Sequence, residues 1–367
     1  MIRRSAVVGP LAAALTVFAA AAAGPAQQTQ PAPAAADPTA QQVSILTADG
    51  VDLVGTYFRS PRGGRDTPCV LMVHSYASDR SKADWISLAR ALQAENFAVL
   101  TFDLRGHGQS TQLNNPQAFW NFAFNRDGIR GGTANIKKTA ISVNDFKPSY
   151  FPFLVNDVAA ARRFFEQKND AGEVNVHSLI VLGAQEGAGL GFLFTAAEYG
   201  RVYRIGQNAL QSYGTEYNAG ADIAAGVWLS LVIRPNLPAG TGLAPNMDMP
   251  AWIRSHPMMR DKTPMCFLFG EKDTRAKADA ETVFRAMTAK MSGRPEKHKL
   301  DDLHPIRGTN LAGSALLGQP ALQVSPYVVG YVKKVMADRR AIPWTDVKPE
   351  VNTLQIVPVN LFGIRVP

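Results

Sequence analysis

The residues that most suggest chemistry lie around position 185, in the stretch VHSLIVLGAQEGAG at residues 176–189. An apolar run is followed by Gly183 and Gly187. This is the spacing of the pattern G-x-S-x-G, in which a sharp strand-to-helix turn exposes a serine nucleophile. The central residue here is Gln185. A carboxamide has no readily ionised proton and no usable nucleophilic lone pair, so it cannot form an acyl-enzyme as an activated hydroxyl does. The sequence therefore predicts the geometry of a covalent hydrolase without its nucleophile.

Alternating strands and helices are expected to hold this turn in place. Continuous apolar runs of strand length predict buried strands, and apolar residues at helical spacing predict helices that pack on them. The predicted strands cover residues 42–45, 51–58, 69–73, 98–102, the run that ends at Gly183, 223–231, 265–269 and 298–303. The predicted helices cover residues 83–97, 154–165, 186–199, 276–291 and 324–340. This alternation indicates an α/β fold, with a doubly wound and mostly parallel sheet of about eight strands.

Residues 111–152 interrupt the alternation directly after the fourth strand. They show no helical or strand periodicity and include the aromatic residues Phe119, Trp120, Phe122 and Phe124. A stretch of this length is too long for an ordinary connection in a compact domain. We expect it to be an insertion that packs over one end of the sheet.

The two ends of the chain are expected to lie outside the domain, which we place at residues 43–340. Residues 1–26 have a basic start, an alanine-rich apolar stretch and small residues at a cleavage position, as is typical of a bacterial-type signal peptide. An uncleaved membrane anchor is the alternative. Residues 27–42 predict a disordered linker and residues 341–367 a surface tail. We therefore expect a secreted or periplasmic protein with no stable membrane insertion after cleavage.

Composition argues against several classes of protein. The formal net charge is +8, but the basic pairs are scattered and carry no interleaved aromatic residues, so we expect no nucleic-acid partner. The 6 histidines and 2 cysteines show no metal-ligand spacing, and the sequence implies neither a metal nor a cofactor. Cys69 and Cys266 lie in predicted strands that are not neighbours, which predicts two buried free thiols. Any partner is an unidentified small molecule or protein.

Two further motifs stand at the ends of neighbouring predicted strands. Residues 70–75 read VLMVHS, and residues 103–110 read DLRGHGQS, which matches D-x-R-G-H-G-x-S. With the stretch around Gln185, and in this order, they make the chain resemble the α/β-hydrolase superfamily over residues 43–340. The similarity is to its dienelactone-hydrolase, lysophospholipase and peptidase-like branches. The resemblance implies the α/β-hydrolase fold with an insertion, and it implies that His107 is a packing residue.

The resemblance also implies a catalytic triad in the chain order nucleophile, acid, histidine. Gln185 stands at the nucleophile place, Asp273 at the acid place and His304 at the histidine place. Two alternatives remain open. Arg307, in the sequence Arg-Gly-Thr, could hold the histidine place, and Asp273 could simply cap the helix that follows it.

An oxyanion hole would be built from backbone N–H groups after the first buried strand and after the elbow. The resemblance makes Ser75, Tyr76 and Glu186 the candidates. We expect the Glu186 side chain itself to point away from the crevice, as is usual for the residue after the elbow centre.

Three functions are compatible with these residues. The first is a secreted protein with a hydrolase fold but no serine-hydrolase activity, because Gln185 replaces the nucleophile. The second is an active ester or amide hydrolase of unusual mechanism, in which Gln185 orients a water that His304 activates with help from Asp273. The third is a binding or scaffolding protein that uses the former active-site crevice.

Overall fold

The structure is a computed structural model. It describes residues 39–132, 138–205, 215–237, 244–290, 298–339, 342–347, 356–362 and 364. The predicted signal peptide and most of the predicted linker lie outside the described residues. No helix in the described ranges is long and apolar enough to cross a membrane.

An eight-stranded sheet forms the centre of the fold, with the strand order β1-β2-β4-β3-β5-β8-β9-β10. β2 runs antiparallel to β1 and β4, and the remaining neighbours are parallel. A separate antiparallel pair consists of β6 and β7. The strands are β1 (Ala40–Leu46), β2 (Asp52–Phe58), β3 (Pro68–Val73), β4 (Ala98–Phe102), β5 (Asn175–Ala184), β6 (Val202–Ile205), β7 (Thr215–Asn218), β8 (Ile223–Leu229), β9 (Met265–Gly270) and β10 (Asp302–Ile306). The predicted mostly parallel sheet of about eight strands is confirmed.

Helices cover both faces of the sheet, and two hydrophobic clusters fill the space between helices and strands. All of β5 is buried, which explains why its sequence is apolar without alternation. The helices are α1 (Ala83–Ala94), α2 (Pro116–Asn121), α3 (Ala123–Gly128), α4 (Val155–Asp170), α5 (Glu186–Gly200), α6 (Met249–Ser255), α7 (Pro257–Lys262), α8 (Thr274–Thr288) and α9 (Val324–Asp338). This doubly wound arrangement places the turn between β5 and α5 at the carboxyl end of the central strands.

The last strand differs from the prediction. It spans Asp302–Ile306 rather than residues 298–303, and it contains Pro305. Proline cannot donate to a strand ladder and is tolerated on edge strands, and β10 is the edge of this sheet. Because Pro305 does not fit the usual sequence pattern of a strand, the sequence predicted the wrong bounds for β10. The β6–β7 pair and helices α6 and α7 were not predicted either.

The insertion is fixed to the domain by a buried polar network centred on Arg105. The Arg105 guanidinium contacts Asp49 at 2.5 Å and Asp157 at 2.7 Å, and it donates to the Tyr150 hydroxyl at 2.9 Å. Asn125 donates to Asp49 at 3.0 Å. Because Asn125 and Tyr150 belong to the insertion, the arginine of the 103–110 motif joins the insertion to the main domain.

The insertion lies over the carboxyl end of the sheet. The backbone N–H of Val143 donates to the Gly106 carbonyl at 2.9 Å, and a β-carbon on Gly106 would come within 2.7 Å of that nitrogen. Gly106, at φ +74°, is therefore required both by its backbone conformation and by the close approach of the insertion.

The two cysteines and the tail are also accounted for in the described residues. Cys69 and Cys266 are buried and free, as predicted, because β5 and β8 separate β3 from β9. In the tail, the Trp252 indole donates to the Phe362 carbonyl at 2.7 Å, and Val359 is buried. This part of the tail therefore packs on the domain.

Candidate active site

Gln185 occupies a strained backbone position between β5 and α5. Its φ is 49° and its ψ is −113°, outside the regions open to residues with a side chain. Its own N–H donates to the Leu229 carbonyl at 2.8 Å, and its carbonyl accepts from the Ala188 N–H at 3.1 Å. Strain of this kind persists only where the surroundings determine it, and it concentrates at functional sites. The chain therefore retains the backbone of a nucleophile elbow around an amide.

The two glycines of the elbow are required by close backbone contact. A β-carbon on Gly183 would lie 2.5 Å from the Ala188 Cα. A β-carbon on Gly187 would lie 2.8 Å from the His74 carbonyl carbon and nearer still to the carbonyl oxygens of Val73 and His74. The spacing G-x-x-x-G thus lets α5 begin directly against β5 and the end of β3.

The side chain of Gln185 lies against Gly313, in the segment that follows β10. A β-carbon on Gly313 would lie 2.9 Å from both Cγ and Oε1 of Gln185, and Gly313 has a φ of +58°. The Gln185 side chain therefore fills the space next to Gly313, and Gly313 itself has no side chain that could act on it.

The carboxylate of Glu186 occupies the expected oxyanion region. Its Oε2 accepts from the Tyr76 N–H at 3.2 Å, its Oε1 accepts from the Asn236 N–H at 3.1 Å, and its own N–H also donates to it. The expectation that this side chain points away is wrong. The carboxylate reaches across the crevice because three backbone donors converge there, two of which are the N–H groups predicted to receive an oxyanion.

Burial raises the pKa of Glu186 above its ordinary value, and the three backbone N–H groups only partly oppose that effect. The hydrogen bonds favour the ionised form, whereas the loss of water disfavours it. Two loops of the crevice, at Tyr76 and at Asn236, are therefore joined through one buried acidic group.

Ser75 is held in place through its backbone carbonyl. It is buried, and its carbonyl lies 2.7 Å from Nδ1 of His74. Since the Leu104 N–H donates to Nε2 of His74 at 3.0 Å, the proton of this imidazole is on Nδ1. Burial lowers the pKa of His74 to about 3, so the ring is neutral and acts as a hydrogen-bonded strut.

His107 also has a packing position. Its Nδ1 lies 3.0 Å from the Arg105 carbonyl and its Nε2 lies 2.8 Å from the Tyr76 carbonyl. It holds the loop after β3 against the loop after β4.

Asp273 caps helix α8. Its carboxylate accepts from the Ala276 N–H at 3.0 Å, which satisfies one of the free donors at the start of the helix. His304 lies within β10, where its ring stacks on Tyr327 with a centroid separation of 3.9 Å. Arg307 follows the strand and is exposed.

Comparison with known proteins agrees with this topology. A sequence profile of the family described as "alpha/beta hydrolase fold" matches residues 68–176, which contain both β3 and the 103–110 motif. The chain therefore has the α/β-hydrolase fold and, over residues 68–176, is similar in sequence to that family.

Other hydrolase-fold proteins resemble this one over most of its length. An esterase of Pyrococcus furiosus superposes with a TM-score of 0.51 at 16% identity, covering 81% of this chain and 91% of the esterase. The dienelactone hydrolase of Anabaena variabilis gives a TM-score of 0.46 at 16% identity, covering 81% of this chain and 98% of that enzyme. At such low identity the likeness to the esterase shows the fold alone.

A closer sequence match is short. Uncharacterised proteins from two strains of Mycobacterium tuberculosis are 40% identical over 80 residues, which is 21% of this chain and 27% of their own length. This chain therefore spans about a quarter of the curated relatives that it matches.

In this hydrolase-fold protein, the three predicted triad residues are not brought together by hydrogen bonds in the part of the chain that the structure describes. Among the described residues no hydrogen bond connects Gln185, Asp273 and His304, and no imidazole forms a hydrogen bond with the Gln185 side chain. Two residues that shape the site, Asn236 and Gly313, were missed by the sequence reading. Both lie in loops without a motif, and only the fold brings them to the elbow.

Proposed function

We propose that this chain is an exported α/β-hydrolase-fold protein that performs no serine-hydrolase chemistry at its elbow. The observation that carries the proposal is Gln185 in the strained elbow conformation. The amide stands where the attacking hydroxyl belongs, and loss of such a nucleophile lowers turnover by about a million-fold in a serine protease.

Two neighbouring features support the same conclusion. The Gln185 side chain lies against Gly313, which supplies no base. The Glu186 carboxyl group accepts the Tyr76 N–H, so an oxyanion forming there would find this donor already occupied. Preorganised donors at this place are worth about 10²–10³ in rate in a working enzyme. The nucleophile, the base and the oxyanion hole are therefore all compromised.

The active-hydrolase alternative receives less support. It needs His304 to activate a water that Gln185 orients, with Asp273 holding the imidazole. His304 instead stacks on Tyr327 within β10, and Asp273 bonds to the start of α8.

The test is activity against a fluorophosphonate probe and a panel of p-nitrophenyl esters, with any labelled residue identified by mass spectrometry. We expect no label on the elbow, residues 183–187, and no turnover that depends on Asp273 or His304. Turnover that falls when either residue is replaced by alanine would overturn the proposal.

Restoring the hydroxyl supplies a matched control. The Gln185→Ser variant should remain inactive, because neither a base nor a free oxyanion hole accompanies the new serine, and Gln185→Ala should behave identically. A large gain of esterase activity in the serine variant alone would show that the rest of the machinery is intact.

One observation favours ligand binding at the same crevice. Gln185 is partly exposed, and within the described residues its amide makes no hydrogen bond. Its donor and its acceptor are thus free to pair with a bound molecule. Thermal shift of the protein and of Gln185→Ala against esters, carboxylic acids and glycans tests this function. A ligand that stabilises only the protein with Gln185 would support it, and shifts equal in both proteins would reject it.

Export is proposed from residues 1–26 alone. Expression of the full chain in a bacterium with two membranes should yield a periplasmic product. Its amino terminus, read by mass spectrometry, should lie near residue 27. Recovery of the intact chain in the membrane fraction would favour the anchor instead.

A further inference from the structure

A second group of reactive residues lies at the amino end of the central strand β5, opposite the end that carries Gln185. His177 is the third residue of β5, whereas Gln185 directly follows the last residue of that strand. Eight residues of strand separate them by roughly 25 Å at about 3.3 Å per residue. Chemistry at His177 is therefore independent of the elbow.

His177 joins a carboxylate to a hydroxyl. Its Nδ1 lies 2.7 Å from Oδ1 of Asp222, and its Nε2 lies 2.9 Å from Oγ1 of Thr345. Asp222 carries no hydrogen when ionised, so Nδ1 donates to it and Nε2 is left to accept from the threonine. A hydroxyl, an imidazole and an orienting carboxylate in hydrogen-bonding sequence are the geometric signature of an activated nucleophile.

The surrounding charges keep this arrangement in its reactive form. Burial alone would raise the pKa of Asp222, but Arg162 and His177 hold it below its ordinary value, so the group stays ionised. The Tyr217 hydroxyl also donates to Asp222, at 2.5 Å. An ionised, fully buried carboxylate stabilises the imidazolium that forms when His177 takes a proton.

The threonine lies at the surface, whereas its two partners do not. Thr345 is exposed, whereas His177 and Asp222 are buried. The backbone around it is fixed: Asn169 donates to the Thr345 carbonyl at 2.9 Å, and the Trp344 indole donates to the Asn169 carbonyl at 3.1 Å. The N–H groups of Thr345 and Asp346 make no hydrogen bond in the described part of the chain and are available to a developing oxyanion.

We propose that Thr345 is a nucleophile activated by His177 and Asp222, and that it accepts acyl groups from small activated esters. Oγ1 attacks the ester carbonyl carbon while Nε2 of His177 takes the hydroxyl proton. The bond from that carbon to the leaving oxygen then breaks, and the leaving alcohol or phenol receives the proton from His177. The products are the released alcohol and an acyl ester on Thr345, with no change of oxidation state.

The experiment is acetylation of the full chain by p-nitrophenyl acetate, followed by peptide mapping. Thr274 is an exposed threonine in the same chain and serves as the internal reference. General-base assistance contributes about 10²–10⁴-fold, so Thr345 should be acetylated at least about 100-fold faster than Thr274. Equal rates at the two threonines would overturn the proposal.

Variants separate activation from simple anchoring of the tail. Thr345→Val keeps the shape, removes the hydroxyl and should abolish the modification at this position, while Thr345→Ser should retain it. His177→Gln keeps a hydrogen-bonding side chain without a base and should lower the rate at Thr345 to that of Thr274. Unchanged acetylation of Thr345 in His177→Gln would assign the His177 contact to tail anchoring alone.

The outcome is independent of the function proposed for the elbow. Acetyl groups on Thr345 with none on residues 183–187 would support both proposals. Label confined to the elbow would reject both, and no label at either place would reject only the second nucleophile.

Discussion

Replacing Gly187 by alanine should destabilise the protein. This is opposite to the effect expected from helix propensity, since position 187 lies in helix α5 and alanine is the better helix former. Alanine gains about 1 kcal/mol over glycine in a helix interior. Here the added carbon would lie 2.8 Å from the His74 carbonyl carbon and closer to two carbonyl oxygens. These atoms are backbone at the end of β3, so the start of α5 must move away from the sheet by several tenths of an ångström.

Overpacking of this kind costs about 1–3 kcal/mol. Because the contacting atoms are backbone and cannot easily move, we expect a cost near the upper end of this range for Gly187→Ala. After subtraction of the helical gain, we expect a net loss of about 2 kcal/mol in the free energy of unfolding. The matched control is Gly330→Ala in α9, where a β-carbon meets nothing within 4 Å. That change should stabilise by about 0.5–1 kcal/mol.

Urea unfolding followed by tryptophan fluorescence measures both variants against the parent protein. The two substitutions should shift the midpoint in opposite directions. If Gly187→Ala were as stable as the parent, α5 could not approach β3 as closely as described, and the account of the elbow would fail.

Three further predictions concern the same site and the thiols. Gln185→Gly should be more stable than Gln185→Ala by about 1–3 kcal/mol in urea unfolding, because only glycine relieves a backbone strain of that size. The reverse order of stability would argue against a strained elbow. Burial raises the pKa of Glu186, so its stabilising contribution is complete below the ordinary glutamate pKa of about 4.3 and is lost as pH rises toward the folded-state value. The parent protein should therefore lose stability relative to Glu186→Gln as pH increases above about 4, and a difference that is constant between acid and neutral pH would contradict the burial argument. Burial also raises the thiol pKa values of Cys69 and Cys266 well above normal. Both thiols should therefore resist a thiol reagent in the native protein and react only after denaturation. Rapid labelling of the native protein would show that their strands open.

The local pattern of apolar residues in the sequence was sufficient to predict the main strands and helices of this protein. The apolar runs of β3, β4, β5 and β9 are continuous because these strands are buried on both faces, and that composition is visible in the sequence. The edge strand β10 was misplaced because Pro305 resembles a strand end, whereas the fold tolerates it where no ladder bond is needed. The predicted topology separated β3 from β9, and this separation correctly predicted that Cys69 and Cys266 are free thiols.

The sequence by itself also determined the elbow: Gly183, Gln185 and Gly187 are close in the chain, and their spacing fixes a turn that only small flanking residues allow. Tertiary structure alone decided what surrounds Gln185. The Glu186 carboxylate meets the N–H groups of Tyr76 and Asn236, which come from loops far apart in the chain. A hydrogen bond between distant segments leaves no periodicity or spacing in the sequence, so its partners become known only when the sheet brings the loops together.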